Sequence, residues 1–107
     1  MASEGLVLTD TDYQEKLAQV DGLLFCHKPL CPNCKAMEKV IEKFLAVSPG
    51  VALLRIDSMQ SPAAMQALGV DRVPTISVLK AGKVIAHKVG LMNLRELMAF
   101  YQAAQPG

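Results

Sequence analysis

One stretch decides the fold: residues 23–35, whose sequence is LLFCHKPLCPNCK. Its first four residues form a short apolar run, the pattern of a strand covered on both faces, so a strand is predicted at Leu23–Cys26. Pro32 suits the first position of a helix, and apolar residues then recur at helical spacing over 37–45. The sequence therefore predicts a buried strand that leads into an amphipathic helix, with two cysteines at the junction.

Further strands and helices are predicted on both sides of this junction from the spacing of apolar residues and from capping and turn residues. They are a strand at Leu6–Leu8, a helix at Asp12–Val20, a strand at Val51–Ile56, a short helix from Ser61-Pro62 to Leu68, strands at Thr75–Leu79 and Val84–His87, and a helix capped by Asn93 that extends to Tyr101. The order βαβαβαββα predicts an α/β fold, a five-stranded mixed sheet with helices on both faces. Strands separated by helices are expected to pair in parallel, and the final hairpin to add an antiparallel edge.

Length and charge exclude several classes of protein. A chain of 107 residues is expected to form a single domain over 1–107, because two cores would each be too small. The formal net charge of +1 gives no attraction to nucleic acid or to a membrane surface. Met1–Thr9 lacks the pattern of a signal peptide, and no apolar run approaches the roughly 20 residues that cross a bilayer. We therefore expect a cytoplasmic monomer with neither a nucleic-acid nor a membrane partner.

The cysteines carry the chemistry. All three fall within nine residues, which is typical of redox chemistry or metal binding rather than of a structural disulfide framework. Because Pro32 follows Cys31 at the start of the helix, the amides of Asn33 and Cys34 lack partners within it. They are expected to point at the Cys31 sulfur and, with the helix dipole and the nearby Lys28 and Lys35, to favour its thiolate. Cys34 is more sheltered and can close a disulfide with Cys31.

Two later motifs complete a family pattern. Val73-Pro74-Thr75 places a proline at the start of a strand, where it removes one ladder donor, and residues 80–84 form a tight hairpin. Together with residues 23–35, in this order and at this spacing, they make the chain resemble the thioredoxin family over almost all of its length. The resemblance implies a thioredoxin-like fold and a protein-disulfide reductase, in which Cys31 is the attacking nucleophile and Cys34 resolves the mixed disulfide.

The resemblance also implies a substrate site and partners. Pro74 corresponds to a cis-proline that faces the disulfide, and the backbone of Val73 would pair with an extended substrate chain. Gly90 matches a glycine at the rim of the substrate groove, and Leu30 precedes the first cysteine, where the family has tryptophan. Protein disulfides would be the substrates, and a flavin-containing thioredoxin reductase would supply electrons. No cofactor is expected beyond the redox-active pair itself.

Several residues depart from the family pattern. The residues between the cysteines are Pro32-Asn33, and Asn33 is expected either to hydrogen-bond near the sulfur or to fill a helical turn. Phe25 falls at the position of the family's buried aspartate, and Leu53 is assigned to that of the lysine beside it. With no acid at this position, we predict a redox potential less reducing than the roughly −270 mV of thioredoxin.

His27 and Cys26 leave alternatives open. His27 shares a strand face with Phe25, and we hypothesise that it supplies the proton transfer that phenylalanine cannot; the alternative is a structural histidine at a strand end. Cys26 is expected to be a core residue, with a regulatory thiol as the alternative. Together with Cys31 and Cys34 these residues form a possible zinc or iron–sulfur ligand set. However, successive side chains of a strand point to opposite faces of the sheet, so Cys26 and His27 are expected to diverge. A glutathione-dependent, glutaredoxin-like reductase and an interaction domain without activity remain further alternatives.

Overall fold

The computed structural model describes residues 6–18 and 20–104. Over those residues its elements follow the predicted order, which confirms the α/β fold with a five-stranded mixed sheet. They are β1 (Leu6–Leu8), α1 (Tyr13–Leu17), β2 (Gly22–His27), α2 (Pro32–Val47), β3 (Ala52–Asp57), α3 (Pro62–Ala67), β4 (Thr75–Lys80), β5 (Lys83–Val89) and α4 (Leu94–Ala104).

The strands lie in the order β1-β3-β2-β4-β5. β3 pairs in parallel with both β1 and β2, whereas β4 is antiparallel to β2 and to β5. The expectation that strands separated by helices pair in parallel is therefore wrong for β4. The six residues of α3 rise only about 1.5 Å each, less than half the rise of a strand residue. The chain consequently begins β4 at the end of the sheet where β2 and β3 finish.

The core lies on both faces of this sheet. On β2, Leu23 and Phe25 pack with α2 and α4, whereas Leu24 and Cys26 pack with α1 and α3. All four side chains are buried, as the continuous apolar run predicts. This two-sided burial holds β2 in place, and with it the short loop that joins β2 to α2.

The ends of two helices test the sequence prediction. Asn93 caps α4 as expected: its side chain accepts the Glu96 amide at 2.8 Å, and the Glu96 side chain accepts the Asn93 amide at 2.9 Å. By contrast, α1 ends at Leu17 rather than Val20. The Val20 carbonyl instead accepts the Gly82 amide of the β4–β5 hairpin at 3.0 Å, which holds Val20 outside the helix; Gln19 lies outside the described residues. Among those described, no helix has both the length and the apolar character to cross a membrane.

Gly22, the first residue of β2, provides a test of this packing. A methyl group on Gly22 would overlap the backbone carbonyl of Ala52 on β3, whereas one on Gly50 would meet nothing within 4 Å. We predict that Gly22→Ala lowers the free energy of unfolding by about 1–3 kcal/mol, the usual cost of overpacking. Gly50→Ala is the control and should leave it nearly unchanged. Urea denaturation measures both; equal stability of the two variants would contradict the packing described here.

Candidate active site

The first turn of α2 holds a disulfide. Cys31 is the N-cap residue in extended conformation, Pro32 occupies the first turn, and the Cys31 and Cys34 sulfurs are bonded, with their Cα atoms 5.2 Å apart. The Cys34 amide donates a hydrogen bond to the Cys31 sulfur over 3.1 Å. One of the two expected amide contacts is thus present, and it directs a backbone dipole at the sulfur. Asn33 is exposed on the same turn, and its role stays a prediction.

The segment before β4 lies against the same core. The Val73–Pro74 peptide bond is cis, and Pro74 is buried. Its carbonyl accepts the amide of Gly90 at 2.9 Å, and Gly90 has a φ of 94°, a left-handed value that favours glycine. Val73 packs against the cluster that contains both Cys31 and Cys34. The structure therefore brings Val73, Pro74 and Gly90 into one unit beside the disulfide core.

The surface around the disulfide is open and partly apolar. Leu30 is 94% exposed and adopts a φ of 57°, in the left-handed region; with Cys31, Pro32 and Lys35 it lines a shallow hollow. A second groove, of about 510 Å³, passes along Val73. Its wall is formed by Lys28, Ser58, Met59, Met65, Asp71, Arg72 and Val89. Met59 and Val89 are large exposed apolar residues there, and their place at this end of the sheet was not foreseen from the sequence.

His27 lies at the end of β2, half-buried, with its ring centroid 5.1 Å from that of Phe25. Burial lowers the pKa of His27, and the positive charge of Arg55 lowers it further, while the carboxylates of Asp57 and Glu38 oppose the shift. The imidazole is consequently neutral at neutral pH. In that state it has a free lone pair and can accept a proton.

Phe25 has a charged neighbour on β3. Leu53 pairs with Leu23, and the residue opposite Phe25 is Arg55. The Arg55 guanidinium carbon lies 5.5 Å from the centre of the Phe25 ring. The parallel register between β2 and β3 decides this, and register is not visible in a single sequence. The sequence signal that could have drawn attention to this neighbour was an arginine inside an otherwise apolar predicted strand.

The proposed metal ligands do not converge. Cys26 lies in the cluster that faces α1 and α3, whereas the His27 ring contacts Phe25 on the opposite face of β2. Burial raises the pKa of the Cys26 thiol to about 12, so it stays protonated at physiological pH. Within residues 6–18 and 20–104, no three His, Cys, Asp or Glu side chains are grouped so that they could hold a metal ion.

Comparison with known proteins decides the family. The sequence matches the family model described as thioredoxin over residues 4–103. The chain belongs to the thioredoxin family. With its Cys-Pro-Asn-Cys pair bonded at the start of α2, it is a thiol–disulfide oxidoreductase of the protein-disulfide reductase type, as the sequence predicted.

Individual relatives agree with this assignment. The chain is 34% identical over 92 residues to the thioredoxin of Chlamydia muridarum, covering 86% of this chain and 90% of that one. It is 31% identical over 107 residues to the thioredoxin of Pseudomonas aeruginosa, covering 94% and 97%. The solution structure of reduced desulfothioredoxin from Desulfovibrio vulgaris Hildenborough superposes with a TM-score of 0.77 at 39% identity, over 92% of this chain and 96% of that one. Nothing in these matches favours the glutaredoxin-like or metal-binding alternatives.

Proposed function

We propose that Cys31 is the nucleophile and Cys34 the resolving thiol of a protein-disulfide reductase. The Cys31 thiolate attacks one sulfur of a substrate disulfide, forms a mixed disulfide and releases the other substrate sulfur as a thiolate. Cys34 then loses its proton, attacks the Cys31 sulfur and releases the second substrate thiolate. The substrate gains two electrons, and the Cys31–Cys34 disulfide forms.

The hydrogen bond from the Cys34 amide to the Cys31 sulfur carries this division of roles. A donor at 3.1 Å stabilises a sulfur anion more than a neutral thiol, and the N-terminus of α2 acts in the same direction. The accessibility of Cys31 also supports its role as the first sulfur to react, because Cys31 lines the hollow beside Leu30 and Lys35. Cys34 is 4% exposed, against 8% for Cys31, so it is better placed to act once the first sulfur is bound.

Substrate binding is assigned to the surface beside the disulfide. An extended substrate would hydrogen-bond to the backbone of Val73, which lies between Pro74 and the groove. Gly90 would lie at the rim of this substrate site. Leu30 offers an exposed apolar side chain in the hollow beside Cys31, and Met59 and Val89 offer exposed apolar side chains in the groove along Val73. Burial of these side chains against a substrate would stabilise the complex while leaving the backbone contact independent of substrate sequence.

Partners follow from the family. Disulfide-containing proteins are the substrates, and a thioredoxin-reductase-like flavoprotein is the proposed electron donor that returns the pair to its dithiol form. The two cysteines supply the electrons themselves, so catalysis requires no bound cofactor. We propose that the protein acts as a monomeric single domain, residues 1–107, in the cytoplasm.

Residues near the cysteines are proposed to modulate this chemistry. Pro32 presets the first helical turn and Asn33 exposes a polar side chain on it, while Lys35 adds positive charge beside the hollow. His27 is proposed to accept the proton that Cys34 loses. Two observations support this role: the lowered pKa of His27, which keeps the imidazole neutral at pH 7, and the position of its ring beside Phe25.

Exchanging the cysteines tests the proposed roles. We predict that Cys31→Ser abolishes reduction of insulin disulfides with dithiothreitol as donor. Cys34→Ser should also lose turnover, but it should accumulate a covalent mixed disulfide through Cys31 that non-reducing gels detect. The reverse pattern, with the adduct trapped by Cys31→Ser, would contradict the assignment. Cys26→Ala is the matched control and should retain activity.

His27→Gln tests the proton acceptor. Because burial lowers the pKa of His27, the wild-type imidazole is neutral at pH 7 and able to accept a proton. We predict that the variant is slower at pH 7 by about a hundredfold, the lower end of what a general base typically contributes. The difference should shrink at higher pH, where Cys34 ionises unaided. A rate profile that superposes on that of the wild type would remove His27 from the mechanism.

A further inference from the structure

We propose that Arg55 and Glu38 form a pair of opposed charges that sets how readily the Cys31–Cys34 thiols ionise, and through this the redox potential. They are positioning residues, since neither is assigned to contact a substrate. The inference rests on the proposed function of the two cysteines. It assigns a role to charged residues on the face of the sheet that carries Phe25, where position 25 has no ionisable acid.

Arg55 places a cation in the core beside the active-site helix. Its side chain is only 14% exposed, and it stands opposite Phe25 in the β2–β3 register. The guanidinium lies over the Phe25 ring at 5.5 Å from its centre. Phe25 itself belongs to the same buried cluster as both active-site cysteines. The charge and both sulfurs therefore adjoin the same apolar cluster, where a charge is screened far less than in water.

Glu38 connects this cation to the helix that carries the cysteines. The Glu38 carboxylate forms an ion pair with the Arg55 guanidinium at 3.2 Å. Glu38 follows Cys34 by four residues in α2, so the two side chains lie on one face of the helix, one turn apart. The side chains of an α-helix also incline toward its N-terminus, which here means toward Cys34. The ion pair consequently lies one turn below the resolving thiol.

The neighbouring groups leave Arg55 as the main positive charge on this face. His27 on β2 is neutral at neutral pH, and on β3 the Asp57 carboxylate accepts the amide of Met59 at 2.9 Å. The other strand neighbours of Arg55 and Phe25 are apolar, Val7 on β1 and Ile76 on β4. On α2, Lys35 and Lys39 are exposed, where water screens them.

The two charges act in opposite directions. A disulfide carries no charge, whereas the reduced pair carries one when a thiol ionises. Arg55 therefore stabilises the reduced thiolate form, lowers the thiol pKa and makes the pair more oxidising; Glu38 counteracts each effect. Below the thiol pKa the reduced pair is neutral, and neither residue should change its potential.

The experiment measures the equilibrium of the pair with glutathione at pH 8 and at pH 5, together with the pH dependence of Cys31 alkylation. We expect Glu38→Gln to shift the equilibrium toward the dithiol, and Arg55→Met toward the disulfide, each by at least about threefold at pH 8. For this two-electron couple, a threefold change corresponds to about 14 mV. At pH 5 both differences should shrink, and Arg55→Lys should restore wild-type behaviour because it keeps the charge.

Lys80→Met is the matched control. Lys80 and Asp21 also form an ion pair at 3.2 Å, but Lys80 ends β4, at the opposite end of the sheet from Pro74. Its removal should leave the equilibrium unchanged. Shifts of the same sign in Glu38→Gln and Arg55→Met would indicate loss of structure rather than of charge and would overturn the inference, as would no shift in Glu38→Gln.

The outcome separates this inference from the proposed function. If the wild-type protein fails to reduce insulin, the proposed function fails, whatever the two charges do. If the protein reduces insulin through Cys31 but neither Glu38→Gln nor Arg55→Met changes its equilibrium with glutathione, only the proposed role of Arg55 and Glu38 is disproved. Should Arg55→Met not fold, Glu38→Gln alone still decides the question, because it predicts a shift toward the dithiol.

Discussion

The chemistry proposed for this protein depends on one backbone hydrogen bond, from the Cys34 amide to the Cys31 sulfur. That donor is available because the first amides of a helix have no partner inside it, and Pro32 fixes the helix start directly after Cys31. Two-sided burial of β2 then fixes where the helix begins relative to the sheet. A local backbone contact thus acquires a defined position near Val73 and the cis Pro74, the segment proposed to bind the substrate.

The charge behind the disulfide comes from a residue that the family resemblance did not indicate. Phe25 supplies no proton, and its neighbour on β3 is Arg55. A guanidinium stays protonated over the whole physiological range, so its influence is constant, whereas an acid at position 25 would titrate. His27, the proposed proton acceptor, is neutral at pH 7 and lies beside Phe25 on the same strand face.

Much of this was predictable from residues 23–35, because the strand, the helix start and the cysteine pair are all local patterns. The capping of α4 by Asn93 was equally local and was predicted correctly. What failed depended on contacts between distant segments, namely the direction of β4 and the early end of α1. The position of Arg55 opposite Phe25 was not predicted at all. Strand register and the path of a connection are set by packing across the sheet, and a single sequence shows neither.

The most direct test of this account is the pH dependence of Cys31 alkylation by iodoacetamide in the reduced protein, located by fragment mass spectrometry. Cys31 should react as a thiolate, with a midpoint well below the roughly 8.5 of a free cysteine. Cys26 is an internal reference that should stay unmodified at pH 8, because burial raises its pKa to about 12. A Cys31 midpoint at or above that of a free cysteine would contradict the claim that the start of α2 stabilises its anion.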